Sequence, residues 1–457
     1  RRARIGLADR IFARVGASYG SVSLYNATAN GADALSMSTV KAYISGASSV
    51  VSGALDVHTF AASYATANID RPTASVSLAN IAVAVLLANA GGTYEAYIDS
   101  TGARHDGLTA STIRVGVGHN TVASATTGPL GGTGVSVSGV SVNVNQANAT
   151  ATANASAYIK GSGRVAATTG DLRVQVNGRA RAVAGVLEDT VTVSLLNIAA
   201  SGTNATVSVA QKAYFDTAGT VDIAGAILIR ANFNATDAGA FATSGTPSGS
   251  GGVSLSLVSG TATTAFATST LANSAYIQGN GTVTAAGDVI INAISVTQAI
   301  ATVNKPFSAA LAQVTILYAK SYVQDNVSAY ITGMTVQSGG KVDVIAKADA
   351  KAHATSAAAG TASLFSGAAG SVAAQIGSSA NRQSVQAYIG ADAHVTAAGN
   401  IKVEANSTGD AKARMTQGFN ISGVTITASR VPTYSYYRTS AQIGADAVVT
   451  STGGSIT

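Results

Sequence analysis

Apolar and polar residues alternate along most of the chain, and the alternation is clearest where small residues dominate. From 148 to 159, Ala or Ile holds every odd-numbered position, and Asn, Thr, Ser and Tyr hold the even ones. From 346 to 355, Ala again alternates with charged or polar residues: Lys347, Asp349, Lys351, His353 and Thr355. Since successive side chains of a β-strand point to opposite faces, this period predicts strands with an Ala-lined inner face and a polar outer face.

A tripeptide of Ala, Tyr and Ile or Phe recurs along the chain. It begins at Ala42, Ala96, Ala157, Ala213, Ala275, Ala329 and Ala387, and a degenerate copy begins at Ala441. From Ala42 to Ala441 there are 399 residues in seven intervals, an average of 57. Such a period predicts an array of similar units. The units are a partial repeat 1–41, repeats 42–95, 96–156, 157–212, 213–274, 275–328, 329–386 and 387–440, and a partial repeat 441–457. Since neither end has the atypical capping repeat of a solenoid, we expect the natural protein to be longer.

A second landmark follows each tripeptide in step. A glycine lies 10 to 13 residues after each Ala, at Gly53, Gly107, Gly170, Gly225, Gly287, Gly339, Gly399 and Gly453. Several are followed by Asp or Asn, as at Asp171, Asp288 and Asn400, and then by an alternating apolar strand. This pattern predicts a tight turn in which glycine supplies a positive φ.

These patterns predict an all-β chain and favour a β-solenoid of about eight tandem units. Tandem small β-sandwiches are the alternative, but no unit carries the large aromatic core that a separate sandwich needs. If each coil takes about 19 residues, one unit makes three coils and advances roughly 14 Å, at about 4.8 Å per coil.

Composition changes this picture only in detail. Charged residues make up 11% of the 457 residues, the net charge is +6, and there is no Cys. The small basic excess does not favour a nucleic-acid partner, and the lack of Cys fits a secreted bacterial protein without disulfides. The most apolar run, Ile81 to Ala88, is too short to cross a bilayer as a helix and is predicted to be a buried strand.

The repeated Ala-Tyr-Ile, the Gly-Asp turn and the Ala-rich alternating strand together resemble repeats of giant bacterial surface exoproteins. These are the filamentous-haemagglutinin-type and leukotoxin-like filamentous adhesins. The resemblance covers essentially the whole chain, and it implies secretion to the cell surface, a long β-rich filament and a role in adhesion or cell–cell contact.

The tyrosine of the tripeptide is the main candidate for function. If Ala and Ile face the core, one Tyr per unit lies on the outside, and together they form a stripe: Tyr43, Tyr97, Tyr158, Tyr214, Tyr276, Tyr330 and Tyr388. Tyr has an apolar ring and a polar tip, so the stripe could serve lateral assembly or glycan stacking. The alternative is that each Tyr only packs on its neighbours as a good strand former.

Other candidate chemistry is sparse. The densest ionisable group is Glu95, Asp99, His105 and Asp106, which we interpret as solvated residues rather than a catalytic or metal site. Gly16 to Gly20 matches G-x-S-x-G without the strand-to-helix context that the motif needs, and Gly131 to Ser136 lacks the Asp of a calcium nonapeptide. Arg173, Arg179 and Arg181 could contact acidic glycans, although a solvated strand face is the simpler interpretation. We expect no catalytic residue, cofactor or metal.

The sequence therefore predicts a structural and adhesive region of a large extracellular protein that forms a stiff rod, filament or sheath, and not an enzyme. Its expected partners are other copies of itself, neighbouring repeats of the same chain and surface glycans, without nucleic acid and without membrane insertion. The alternatives are a carbohydrate- or ice-binding solenoid and a polysaccharide-cleaving β-helix. Ice binding would need a flat Thr lattice, and the pairs Thr150/Thr152 and Thr425/Thr427 look isolated in the sequence.

Overall fold

The structure is all-β, with parallel pairing throughout the part of the chain that it describes. A computed structural model describes residues 2–15, 21–45, 49–50, 53–70, 74–101, 107–128, 134–187, 190–233, 239–245, 253–305, 307–358, 360–416 and 418–457. Within these ranges 28 strands, β1 to β28, form three sheets. The stacked parallel sheets confirm the predicted β-solenoid and exclude a row of separate sandwiches.

Each coil adds one strand, or two or three consecutive pieces of one, to each sheet. The first sheet contains β1 (Arg2–Val15), β4 (Leu55–Asp70), β7 (Ile113–Gly128), β10 (Leu172–Leu187), β13 (Ile227–Phe233), β14 (Gly239–Gly245), β17 (Val289–Lys305), β20 (Val342–Ala358) and β24 (Ile401–Thr416).

The second sheet holds the longest strands. They are β2 (Ser21–Ser45), β5 (Ala74–Asp99), β8 (Gly134–Gly161), β11 (Thr190–Thr217), β15 (Val253–Gly279), β18 (Phe307–Thr332), β21 (Gly360–Ile376), β22 (Gln383–Ile389), β25 (Phe419–Arg430), β26 (Thr433–Ser435) and β27 (Tyr437–Ile443).

The third sheet closes each coil with a short strand. Its members are β3 (Ser49–Val50), β6 (Leu108–Ala110), β9 (Val165–Ala167), β12 (Thr220–Ile223), β16 (Thr282–Ala285), β19 (Thr335–Ser338), β23 (His394–Ala397) and β28 (Val448–Ser451).

One sequence unit makes one coil. In the second sheet Ala213 pairs with Ala275 and Tyr214 with Tyr276, so each repeat lies directly on the next. The prediction of three coils per unit was therefore wrong, because it assumed short strands, whereas β8 and β11 each run for 28 residues. A unit consequently advances by one strand spacing, about 4.8 Å, instead of roughly 14 Å.

The first two sheets face each other across a thin interior lined by small side chains. Ala149, Ala151, Ala182 and Ala184 are fully buried, as the alternation predicted. Polar contacts across the interior, such as Ser36 Oγ to Ser63 Oγ at 2.7 Å, join β2 to β4. An interior of this kind keeps the sheets close, so a large side chain inside needs a small one beside it.

The central coils show this compensation. Gly178 of β10 lies in register between His119 of β7 and Phe233 of β13. The buried His119 ring stacks on Tyr94 at 5.6 Å and lies 2.7 Å from the side-chain amide of Gln211. Burial lowers the pKa of His119 to about 4, so the ring is neutral at physiological pH. The missing side chain of Gly178 thus provides space for the His119 ring and the Gln211 amide.

Seven of the eight landmark glycines, all except Gly53, lie close against a neighbouring coil, so the recurrent glycine serves close packing rather than a positive φ. Of the eight landmark glycines only Gly107 has a positive φ, of 54°, so that part of the turn prediction was wrong. A Cβ on Gly225 would lie 2.7 Å from the Gly170 carbonyl carbon, because turn stacks on turn. The next residue joins the coils: the Asp171 carboxylate accepts a hydrogen bond of 3.0 Å from the backbone N–H of Ala226.

The run from Ile81 to Ala88 is a strand of which only one face is buried. Leu86 and Ala88 are inaccessible, whereas Ile81 is 46% exposed. The prediction of a buried strand was wrong for its outer face, because no sheet lies over that face of β5 in the described part of the chain.

We predict that Ala151→Leu destabilises the fold by about 1–3 kcal/mol, because the added carbons must fit between two closely packed sheets. The adjacent outward-facing change Thr152→Leu is the matched control and should cost less than about 0.5 kcal/mol. Urea unfolding followed by circular dichroism measures both. Equal destabilisation by the two variants would contradict the assignment of inner and outer faces.

Candidate functional site

The seven tyrosines of the repeated tripeptide form one continuous ladder on the second sheet. Consecutive rings from Tyr43 to Tyr388 are stacked with centroids 4.6 to 5.0 Å apart and planes within 9° of parallel. In the next coil Gln442 lies beside Tyr388, so the ladder stops where the motif degenerates.

The strands place these rings by simple alternation. In β8, Ala157 and Ile159 are buried and Tyr158 points outward between them. The same arrangement in neighbouring coils brings each Tyr over the next at the strand spacing. The ladder thus follows from in-register pairing and needs no special loop.

The stacking leaves only part of each ring accessible. Tyr43 is 55% exposed and Tyr276 only 8%, and the other five rings are half-buried. The rings between Tyr43 and Tyr388 have a neighbour on both faces, so a sugar could reach their edges and hydroxyls but not stack on their faces. The role of the stripe in lateral contact remains a prediction.

Burial makes five of these hydroxyls harder to ionise. It raises the pKa of Tyr214 and of Tyr330 to about 12. It also raises the pKa of Tyr158, Tyr276 and Tyr388, with the negative charge of Glu95 adding to the effect at Tyr158. These five tyrosines are therefore neutral at physiological pH.

The acidic residues predicted to be solvated lie beside this ladder and are paired. The Glu95 carboxylate is 2.9 Å from Lys41 Nζ, and the Asp99 carboxylate is 3.2 Å from Lys160 Nζ. The Lys160 ammonium also lies 5.9 Å from the centre of the Tyr97 ring. His105 and Asp106 lie outside the described residues. No group of three His, Asp or Glu side chains placed to hold a metal occurs in the described part of the chain.

Two motifs from the sequence cannot be placed in full. Gly16 to Gly20 lies outside the described residues. The segment 131–133 does too, while Gly134 and Ser136 belong to the start of β8.

The predicted arginine cluster lies on the outer face of the first sheet. Arg173, Arg179 and Arg181 occupy alternate positions of β10, and Arg173 is paired with Asp171 at 2.9 Å. Register places Arg114 of β7 directly beside Arg173, around a shallow depression that also includes His58 and Gln175. Sequence reasoning missed Arg114, because only the register between coils makes the two residues neighbours. The outward position fits the preferred interpretation, a solvated strand face, and contact with acidic glycans remains the alternative hypothesis.

The threonines at 150 and 152 are less isolated than the sequence suggests. Thr206 and Thr268 continue the column of Thr150, and Ser208 and Thr270 continue that of Thr152. Asn89 and Tyr322 interrupt the first column on either side. The hydroxyl array therefore covers three of the eight coils, too few for a lattice along the whole face.

Comparison with known proteins found no match to any family model, curated protein or solved structure. The described residues contain no helix that is long and apolar enough to cross a membrane.

We predict that the ladder makes stability fall at alkaline pH. Since the folded pKa of Tyr214 and Tyr330 lies above the value of about 10 for a free phenol, the fold favours the neutral form. That stabilisation is complete below about pH 10 and is lost as the pH rises through about 12. Thermal unfolding measured between these pH values, with phenolate absorbance recorded in parallel, should show the decline.

The double variant Tyr214→Phe with Tyr330→Phe keeps the stacked rings but removes two of the late-titrating hydroxyls, so its decline should be smaller. Tyr25→Phe, at a position 79% exposed and outside the ladder, is the control. If the double variant and the wild type lose stability identically, the ladder is not the cause.

Proposed function

We propose that this chain is a structural and adhesive repeat region of a large secreted bacterial surface protein. It acts through the faces of a stacked β-wall and performs no catalysis. The observation that carries the proposal is the register of the coils: eight coils pair strand upon strand through three sheets.

Each coil of this segment is wide and shallow. A strand of 26 residues, as in β18, extends for about 86 Å. Eight coils at about 4.8 Å each rise only about 38 Å. Each coil therefore adds much face area and little height, and the eight coils of this segment offer two broad sheet faces for contact.

The surface chemistry fits an extracellular role. Ser, Thr, Asn and Gly are abundant, only 11% of residues are charged, and there is no Cys to require a particular redox environment. The resemblance to filamentous-haemagglutinin-type and leukotoxin-like adhesins also supports an extracellular role. Secretion and attachment are expected from this resemblance.

The alternative function, cleavage of a polysaccharide, has little support in the structure. Glu95 and Asp99 each have a lysine partner on a neighbouring coil, an arrangement that neutralises them rather than preparing one as a general acid. Carbohydrate binding without cleavage remains compatible with the proposal. The carbohydrate would contact the outer face of the first sheet, which carries Arg114, Arg173, Arg179 and Arg181.

Immunogold electron microscopy of intact cells that produce the chain tests the proposal. Antibodies raised against the purified chain should label the outside of unpermeabilised cells, and mutants that lack the chain should lose labelling together with surface attachment. Labelling that requires permeabilisation would contradict it. Negative-stain images of the purified chain should show flat plates wider than they are tall.

A further inference from the structure

The outer face of the second sheet carries an apolar band at the end opposite the tyrosine ladder. In the coil of β11 the band consists of Val193, Leu195, Leu196, Ile198 and Ala200. Register extends each of these positions into a column through the stack. The column of Leu196, for example, contains Tyr25, Ala79, Val140, Val258, Ala312, Phe365 and Val424. We call these five columns the outer apolar band.

The band contains no charged residue in any coil. The column of Val193 contains Val22, Val76, Val137, Leu255, Ala309, Ala362 and Ile421. Leu195 has no paired residue in either neighbouring strand, although the residues on both sides of it are paired. The other coils have the same unpaired position, occupied by Leu24, Leu78, Gly139, Leu257, Leu311, Leu364 and Gly423. The remaining two columns hold only Ala, Gly, Val and Ile.

These side chains are open to solvent in the single chain. Leu195 is 61% exposed, Val258 47% and Leu311 51%. A side chain with neighbours above and below it in a stack cannot have an exposed fraction much larger than these values. The outer apolar band is therefore a solvent-exposed sheet face in the described part of the chain.

The inner face of the same segments is polar, which reverses the usual pattern. Thr192, Ser194 and Asn197 of β11 are buried while the apolar residues between them point outward. The Asn197 amide donates a hydrogen bond of 2.9 Å to Ser254 Oγ of the next coil. Since soluble sheets usually hide the apolar side, this reversal indicates that something else covers the outer face.

The size of the band suits a specific protein interface. Seven residues of strand give a width of about 20 Å, and seven coil intervals give a height of about 34 Å. The resulting area of roughly 700 Å² exceeds the usual largest apolar patch of a monomer, about 300–600 Å². It approaches the ~800 Å² per partner of a standard interface.

We propose that the outer apolar band packs against the same band of a second copy of this chain, sheet on sheet. The band offers neither charge nor side-chain hydrogen-bonding groups apart from Tyr25, so it does not suit a glycan or a nucleic acid. The outward side chains of each strand form a ridge, and these ridges repeat at the spacing of the coils. A second copy has ridges at the same spacing, so the two sets can interdigitate. Two such sheets pack about 10 Å apart with interdigitated side chains. The proposal does not depend on the surface role proposed above.

Sedimentation velocity and light scattering of the full chain test the proposal. The wild type should be a dimer at micromolar concentration. Leu195→Glu with Val258→Glu would place carboxylates in the centre of the interface and should weaken association at least ~100-fold. The matched control, Val183→Glu with Ile300→Glu, places the same charges on the outer face of the first sheet and should remain dimeric. Circular dichroism should show the same β content in all three.

Three results would overturn the proposal. The first is a wild type that stays monomeric up to about 100 μM. The second is a control variant that dissociates as readily as Leu195→Glu with Val258→Glu. The third is a monomer that floats with neutral phosphatidylcholine vesicles through the outer apolar band, because the band would then bind a lipid surface instead of a second copy.

Discussion

Parallel, in-register hydrogen bonding between coils governs this molecule. It places each residue about 4.8 Å from its counterpart in the next repeat, so a side chain must be compatible with a copy of itself. Ala, Val, Thr and stacked Tyr meet this condition, whereas like charges at that distance repel by about 0.9 kcal/mol in water and about 3.5 kcal/mol near a protein surface. The low charged fraction follows from this constraint. Where charges occur in adjacent coils they often alternate in sign, as at Lys41 with Glu95 and Asp99 with Lys160.

The same constraint explains the interior and the division of the outer surface. A thin core rich in Ala allows two sheets to lie close together, and the buried ring of His119 is accommodated beside Gly178. On the outside, the columns of the outer apolar band and of the tyrosine ladder each keep one chemical character over many coils. One long strand can therefore carry an apolar band near its start and a tyrosine ladder near its end, which separates the face proposed for self-association from the ladder.

Much of this was accessible from the sequence, and the failures have physical causes. Alternation and the 57-residue period predicted the parallel stack and the outward direction of Tyr158. They could not predict the number of coils per unit, because a period gives the length of a repeat and not the path of the chain within it. The outer apolar band was missed because the strand pairing skips Leu195 and so shifts the phase of alternation, and only two of the eight coils have a glycine at this position, Gly139 and Gly423. The arginine face likewise joins Arg114 to Arg173 only through register.

Cross-linking between coils tests the central claim, one coil per unit, most directly. The chain has no Cys, so Thr152→Cys with Ser208→Cys introduces a single pair of thiols on facing outward positions of β8 and β11. The strand spacing of about 4.8 Å lies within the Cα separation of about 4.4–6.8 Å that a disulfide spans, so oxidation should join the pair within one molecule. The contradictory result is no cross-link in that pair together with a cross-link between Thr152→Cys and Asp171→Cys, the neighbours expected if each unit made three coils.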